Sequence, residues 1–331
     1  MPATIAHVAA HARVSAATVS RVLQGSPRVS PAARERVETA IAALGYRPSG
    51  VARSLRRQQT GTFGLIVTDI NNPFYPEIVR GAEDAAQREG RSLILCNAAE
   101  DPERELAYLN LLLERRVDGV IVAAGGLTTR QAQLLRAFPV PLVLVNAALP
   151  GGPIPSVVSD NVAGGRAAVD HLLDLGHTRL VHVSGPAVRD ATSLRLDGVR
   201  AAIAASGREV TLEVVEGDGY LAGGAAARGI AARLAPPYAI IAHNDLTAVG
   251  VIHALFDLGI RVPDEVSVVG FDDIALAAFT NPGLTTVAQD KYGMGRWAVE
   301  AITRLQAGEP VRGPEVLPIE LVVRRSTAPA R

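Results

Sequence analysis

Two groups of side chains stand out for the chemistry they could do. The first lies in "SAATVSRVLQGSPRVS", residues 15 to 30. A helix there would turn Val19, Val22 and Leu23 to a core, leaving Ala16, Ala17, Thr18, Ser20 and Arg21 on the opposite face. Small side chains allow close approach, and hydroxyls with a guanidinium hydrogen-bond to phosphates and base edges. The second group sits at the ends of apolar runs: Asp69, Asn97, Asn146, Ser184, Asn244 with Asp245, and Asp272 with Asp273. Polar groups gathered there suit hydrogen bonding to a small ligand.

Neither group is a catalytic constellation. The chain has no P-loop, no G-x-S-x-G elbow, no H-E-x-x-H and no G-x-G-x-x-G after a strand. Its 7 histidines are scattered, and the single cysteine, Cys96, falls in the apolar run "SLILCNA", where core packing is expected. No enzyme activity, metal or cofactor is expected.

The elements that must hold the first group are three short helices. "TIAHVAAHA" repeats Ile5, Val8, Ala9 and Ala12 at helical spacing behind Thr4 as cap. Ser15 caps the next helix, and a third follows Ser30 and Pro31, burying Val37, Ile41 and Leu44 before Gly45. A tight turn between the first two makes a helix-turn-helix, whose second helix enters the major groove of DNA.

From about residue 61 the pattern alternates apolar strand and amphipathic helix. Strands are expected at "TFGLIVT", "SLILCN", "GVIVAA", "PLVLVN", "LVHVS", "VTLEVV", "YAIIAH" and "VSVVGF". Such alternation argues for parallel sheets covered by helices, with ligands bound beyond the carboxyl ends of the strands.

The 331 residues carry no net charge, yet the balance is uneven. Residues 1 to 60 hold nine arginines against Glu35 and Glu38, a net +7, which leaves −7 on the rest. A basic module on an acidic body fits a polyanionic partner. No apolar run reaches the ~18 residues of a membrane span, and the N-terminus lacks a secretory signal, so a cytoplasmic protein is expected.

The headpiece and linker, "TIAHVAAHARVSAATVSRVLQGSPRVSPAARERVETAIAALGYRPSGVARSLR", resemble the LacI/GalR family of bacterial transcription regulators. The resemblance continues through "GLIVTDINNPFYPEIVRGAEDAA", "RRVDGVIV", "RLDGVRAA", "HNDLTAVG" and "VPDEVSVVGFDDIALA". It implies a DNA-binding headpiece over 1–47, a hinge over 48–60, and a periplasmic-binding-protein-like core over 61–331. The core would have two doubly wound parallel-sheet subdomains, about 61–158 with 289–318, and about 159–288 with 319–331.

Resemblance also assigns roles. Ala16 and Ala17 match the variable recognition positions. Ser15, Thr18, Ser20 and Arg21 would bond DNA, Arg21 to a guanine, with Gln24 and Arg28 reaching bases or backbone alone. Leu55 matches a leucine wedged into the central base step. In the core, Arg195 matches the arginine that grips the effector, Asn244 and Asp272 its hydrogen-bonding pair, and Asn146 the place of an aspartate in some members. Phe74 would offer a ring face. Strand alternation lets only one of each adjacent pair face the cleft, which leaves Asp245 and Asp273 to satisfy nearby backbone.

Three departures from the pattern are visible. His7 stands where an acidic residue is usual, removing a carboxylate from a helix start. Arg13 stands where glycine is usual, in the turn. Gly219 stands where an aromatic residue usually enters the cleft. Either Tyr220 takes that role through a shifted loop, or the pocket is wider and more polar on that side.

The expected function is therefore a homodimeric repressor on a near-palindromic double-stranded operator, released by a sugar or polyol. A purine-like corepressor is the alternative effector. A solute receptor for uptake would leave the basic headpiece without a use.

Overall fold

The computed structural model describes residues 3–23, 25–46, 60–124, 126–127, 129–149, 152, 154–186 and 190–330. Gln24, Arg47 and residues 48–59 of the expected hinge, Leu55 among them, lie outside the described residues. The chain divides into two compact units, Met1–Gly61 and Thr62–Arg331.

The first unit has helices α1 (Ile5–Ala12), α2 (Ala16–Leu23) and α3 (Pro31–Leu44). Val8, Ala9, Ala12, Val19, Val22, Val37 and Ala40 form its core, with Ile41 and Leu44 packed against it. Leu23, expected in the apolar stripe, is instead 38% exposed.

Both sequence departures in this unit have structural solutions. Arg13 closes α1 at φ 52°, donating its N–H to Ala9 and Ala10 carbonyls, so it takes the left-handed conformation glycine adopts more cheaply. His7 does more than vacate an acidic position. The Thr4 hydroxyl accepts from the His7 N–H at 3.4 Å, and His7 Nδ1 accepts from the Thr4 N–H at 3.4 Å. The imidazole thus completes a reciprocal capping box in the place where Glu or Gln usually does so.

Two sheets build the second unit. The first contains β1 (Thr62–Val67), β2 (Ser92–Asn97), β3 (Gly119–Ala123), β4 (Leu142–Val145), β5 (Ser156–Ser159) and β11 (Glu315–Leu317), in spatial order β11-β5-β4-β3-β1-β2. The second contains β6 (Arg179–Ser184), β7 (Thr211–Glu216), β8 (Tyr238–Ala242), β9 (Val266–Asp272), β10 (Thr285–Gln289) and β12 (Ile319–Val322), in order β12-β10-β9-β8-β6-β7. Every pairing is parallel except β10 with β12. Central strands such as β3 and β9 are buried throughout, which is why they read as continuous apolar runs.

The helices around the first sheet are α4 (Phe74–Arg88), α5 (Pro102–Glu114), α6 (Thr129–Arg136) and α12 (Lys291–Gln306). Around the second are α7 (Asn161–Asp174), α8 (Asp190–Ala205), α9 (Gly219–Ala231), α10 (Asp245–Asp257) and the short α11 (Ala275–Phe279). The chain passes between sheets at Asp160, Asp290 and Pro318. Asp160 caps α7 through the Ala163 N–H at 2.9 Å, and Asp290 caps α12 through the Gly293 N–H at 2.7 Å. A carboxylate at a helix start satisfies an orphan donor and the helix dipole together, which anchors each crossing.

One glycine sets the placement of Arg195. A Cβ on Gly165 of α7 would come within 2.1 Å of the Arg195 carbonyl on α8. The close approach of these two helices fixes the backbone from which Arg195 projects.

Candidate functional site

In the headpiece, Ser15 Oγ accepts from the Thr18 N–H at 3.1 Å and lies 2.9 Å from the Thr18 hydroxyl. Ser15 is therefore the cap of α2, and both hydroxyls are already engaged with each other. Ser15, Ala16, Ala17, Arg21 and Arg28 are exposed, and Thr18 and Ser20 are half-buried. Helical spacing stacks Ala16 over Ser20 and Ala17 over Arg21. Two other arginines serve the fold: Arg34 donates to the Ser26 carbonyl at 2.8 Å and Arg36 to the Ala12 carbonyl at 3.2 Å.

In the core, strand ends from both sheets converge on one polar pocket. It is lined by Asn72, Phe74, Tyr75 and Asn146 from the first subdomain. Ala191, Arg195, His243, Asn244 and Asp272 line it from the second. It encloses about 30 Å³ in this conformation, room for about two water molecules.

Each wall is held by local hydrogen bonds. Asn97 Oδ1 accepts the Ile70 N–H at 3.0 Å, Asp69 the Asn71 N–H at 3.0 Å, and Asn72 the Phe74 N–H at 3.0 Å. These side chains, at the ends of strands or in the loop after β1, set the start of α4. Phe74 then packs edge-on to Tyr75 with centroids 5.3 Å apart. Asn146 follows β4 at φ 60°, and its buried Oδ1 has no hydrogen-bond partner among the described residues. A buried amide oxygen without a donor is costly, so a ligand donor there would be rewarded.

Arg195 is buried, with its guanidinium 3.7 Å above the centroid of the Phe271 ring. Its Nε donates to Asn161 Oδ1 at 2.8 Å and its Nη1 to the His243 carbonyl at 2.5 Å. Nη2 lies 3.7 Å from Asp272 Oδ1, beyond a direct hydrogen bond. Burial and the charges of Arg195 and Arg200 push the adjacent His182 down to about 4, so that imidazole is neutral.

Asp272 ends β9 at φ 121°, followed by Asp273 at φ 51°. Consecutive non-glycine residues in this region are strained and need support. Lys291 supplies it: its buried Nζ donates to the Asp272 carbonyl, and to the Asp273 carbonyl at 3.0 Å. It also lies 3.7 Å from the Glu77 carboxylate on α4. Gln289 Nε2 donates to Asp272 Oδ1 at 2.6 Å. Burial raises the Asp272 carboxyl to about 6, against the opposing pull of Arg195, Lys291 and the Gln289 hydrogen bond.

Asn244 is shared between fold and pocket. Its Oδ1 caps α10 through the Thr247 N–H at 2.8 Å, while Nδ2 points to Asp218 Oδ1 at 3.4 Å. Asp245 is fully buried, accepting from the Ile274 N–H at 2.9 Å and the Thr286 hydroxyl at 2.5 Å. Burial first, then the nearby Asp272 charge, raise it to about 8. Asp273 does not satisfy backbone as expected; its carboxylate accepts from Arg324 at 2.6 Å. That ion pair is available because β12 brings the chain end past this loop.

Tyr220 does not enter the pocket. It stands at the start of α9, 37% exposed, with its hydroxyl 2.5 Å from His253 Nδ1 and its ring edge-on to that imidazole. Gly219 precedes it at φ 76°, which turns the helix start and sends Tyr220 over α10 instead. The expectation that Tyr220 takes the aromatic role through a shifted loop does not match this geometry.

Sequence reasoning missed Asn161, Gln289 and Lys291. One signal existed for Lys291: a cation at a helix start opposes the helix dipole, so something else must hold it there.

Comparison with known proteins places these features. Residues 4–49 match the model for bacterial regulatory proteins of the lacI family, and residues 169–327 match a periplasmic binding protein-like domain. The chain is 38% identical over 331 residues to catabolite control protein A of Priestia megaterium, covering 99% of this chain and 100% of that one. It is 37% identical over 303 residues to the ribose operon repressor of Escherichia coli K12, covering 91% and 92%. Among solved structures, the lac repressor dimer bound to operator and the anti-inducer ONPF superposes with a TM-score of 0.90 at 30% identity, covering 99% and 100%.

Proposed function

Because the chain belongs to the lacI family of bacterial regulatory proteins, we propose that it is a DNA-binding transcriptional repressor switched by a neutral sugar or polyol. The relatives are regulators and not enzymes. No group of histidine, cysteine and carboxylate side chains that would hold a metal occurs among the described residues. No described helix is long and apolar enough to cross a membrane. The protein acts in the cytoplasm, on DNA.

One observation carries the effector half of this reading. The polar pocket takes its walls from both subdomains, so whatever fills it changes their separation. Its polar lining is three amides, one guanidinium, one carboxylate and the His243 imidazole, with the rings of Phe74 and Tyr75 at the side. Hydroxyl groups satisfy such a set, and a ribose repressor stands among the relatives. A purine-like corepressor would want stacking faces on both sides, and Arg195 and Asn244 occupy the wall opposite Phe74 and Tyr75.

The DNA half rests on α2, where the exposed Ala16, Ala17 and Arg21 form a surface of small and cationic groups. Phosphate contacts from Ser15, Thr18, Ser20 and Arg28 would set register, and Arg21 would read a base edge. Gln24 and Leu55 keep the roles that resemblance suggests. Two headpieces on a near-palindromic operator need a homodimer. Leu221 on α9, Phe256 on α10 and Phe279 on α11 are 83%, 78% and 81% exposed, large apolar groups that a second subunit would cover.

The switch is then a coupled equilibrium between two subdomain separations. Coupling of about 1–3 kcal/mol between effector and operator suffices. The test is operator binding by the purified protein, using DNA from around its own gene, with ribose and a panel of other sugars and polyols. Release by one of them supports the reading, and indifference to all removes it. Tightening by a nucleobase in the same assay would make it a corepressor system.

A further inference from the structure

We propose that Lys291 is a positioning residue of the switch: its ammonium clamps the two subdomains at this separation and passes to Glu77 when they part. This rests on the reading of the polar pocket as the effector site. Four acceptors surround Nζ, namely the carbonyls of Asp272, Asp273 and Gln289 and the carboxylate of Glu77. An ammonium has three hydrogens to give. In this conformation the carbonyls take them, Asp273 at 3.0 Å and Gln289 at 3.4 Å, and Glu77 is left at 3.7 Å.

The acceptors divide between two bodies. Lys291 opens α12, and Glu77 lies in the first turn of α4, both in the first subdomain. These helices meet backbone to backbone: a Cβ on Gly81 would clash with the Tyr292 carbonyl, and one on Gly295 with the Ile78 carbonyl. So close a packing fixes Glu77 relative to the Lys291 backbone. Asp272 ends β9 of the second subdomain, and Asp273 follows it. Their distance from Lys291 is the one that changes when the subdomains move.

The carbonyls are the stronger set here, three acceptors around a side chain only 3% exposed. Glu77 is the fallback. Its carboxylate is 45% exposed, so water competes for it, but a buried ammonium must keep a protein acceptor once the carbonyls withdraw. The clamp therefore favours this separation, and the carboxylate lowers the cost of leaving it.

Each set lies one step behind the pocket. The ammonium supports the turn at φ 121° and 51° that aims the Asp272 carboxylate at the pocket. Glu77 stands one helical turn after Phe74, on the other wall. Lys291 acts on the effector only through these residues.

The experiment reads the concentration of ribose, or of whichever sugar in the panel releases the wild type, that half-releases the full chain from its operator fragment. Lys291→Met removes the clamp and Glu77→Gln removes the fallback, so the two should shift that concentration in opposite directions. The expected size is at least about 5-fold for Lys291→Met and about 2-fold for Glu77→Gln, whose ion pair is half exposed. In the Lys291→Met background Glu77→Gln should add nothing, because Glu77 acts through the ammonium. A role in stability alone would not give opposite signs. If Lys291→Met does not unfold cooperatively, Lys291→Arg replaces it. A guanidinium prefers the carboxylate, so this variant should shift in the same direction as Lys291→Met, and Glu77→Gln should reverse it. Shifts of the same sign, an unchanged Glu77→Gln, or a Glu77→Gln effect that persists in Lys291→Met would overturn the positioning role and leave the sugar switch standing. No release of the wild type by any sugar would remove the switch and the role together.

Discussion

Arg195 Nη2 stands 3.7 Å from Asp272 Oδ1, with each side chain only 6% exposed. A charge-assisted hydrogen bond would bring them to about 2.8 Å. Asn161 and the His243 carbonyl hold the guanidinium, and Gln289 holds the carboxylate, so the two charges are kept apart. A ligand hydroxyl fits that arrangement, accepting from one and donating to the other.

Removing one charge should therefore have two different consequences. Arg195→Ala leaves a buried carboxylate without its cation and should destabilise the core by about 3 kcal/mol. Asp272→Asn should cost less, because burial already disfavours that charge and Arg195 keeps Asn161, the His243 carbonyl and the Phe271 ring, yet fail to respond to effector. Thermal unfolding of both variants, with operator binding in the presence of effector, checks this pair of outcomes.

Stability should fall as pH rises toward neutrality, and Asp245 should be one cause. Its folded carboxyl is raised to about 8, whereas an unfolded one loses its proton near 4. The folded state thus holds an extra proton across that window, and its advantage is lost as pH climbs through it. Asp245→Asn mimics the protonated acid, donating to Thr286 and accepting from the Ile274 N–H. Denaturant midpoints between pH 5 and 8 should flatten in this variant relative to wild type.

Arg21→Ala should weaken specific operator binding about 10- to 100-fold, the value of one good base contact. Effector affinity should not change, because Arg21 and the pocket belong to separate units. Loss of both activities would mean misfolding instead, and loss of neither would remove Arg21 from the interface.

The capping box at α1 gives a smaller, local effect. His7→Ala should cost the helix start about 0.5 kcal/mol, and His7→Gln should retain it, since a glutamine amide oxygen can accept the Thr4 N–H. Hydrogen exchange at the first-turn amides of α1 would read the difference.

Much of the fold was legible in the sequence, for identifiable reasons. Helix starts at Thr4, Ser15 and Ser30 and buried strands such as β3 and β9 obey local rules of capping and periodicity. The polar residues after those strands marked the cleft because parallel topology brings strand ends together. Pairings between distant segments were not legible. Lys291 meets Asp272 only because β9 and the β10–α12 crossing are neighbours in space, and Arg324 meets Asp273 only because β12 returns beside β10. Tyr220 was misplaced by a single backbone angle at Gly219, which no spacing rule reports.

One small molecule in the cleft should change the grip on DNA. Fluorescence anisotropy reads this directly, with a labelled fragment from around the protein's own gene titrated against wild-type protein and Asp272→Asn, with and without the sugar panel. Both proteins should bind the fragment, one neutral sugar should release the wild type, and the same sugar should leave Asp272→Asn bound. Specific binding that no sugar alters, or a sugar response that survives in Asp272→Asn, would contradict the switch.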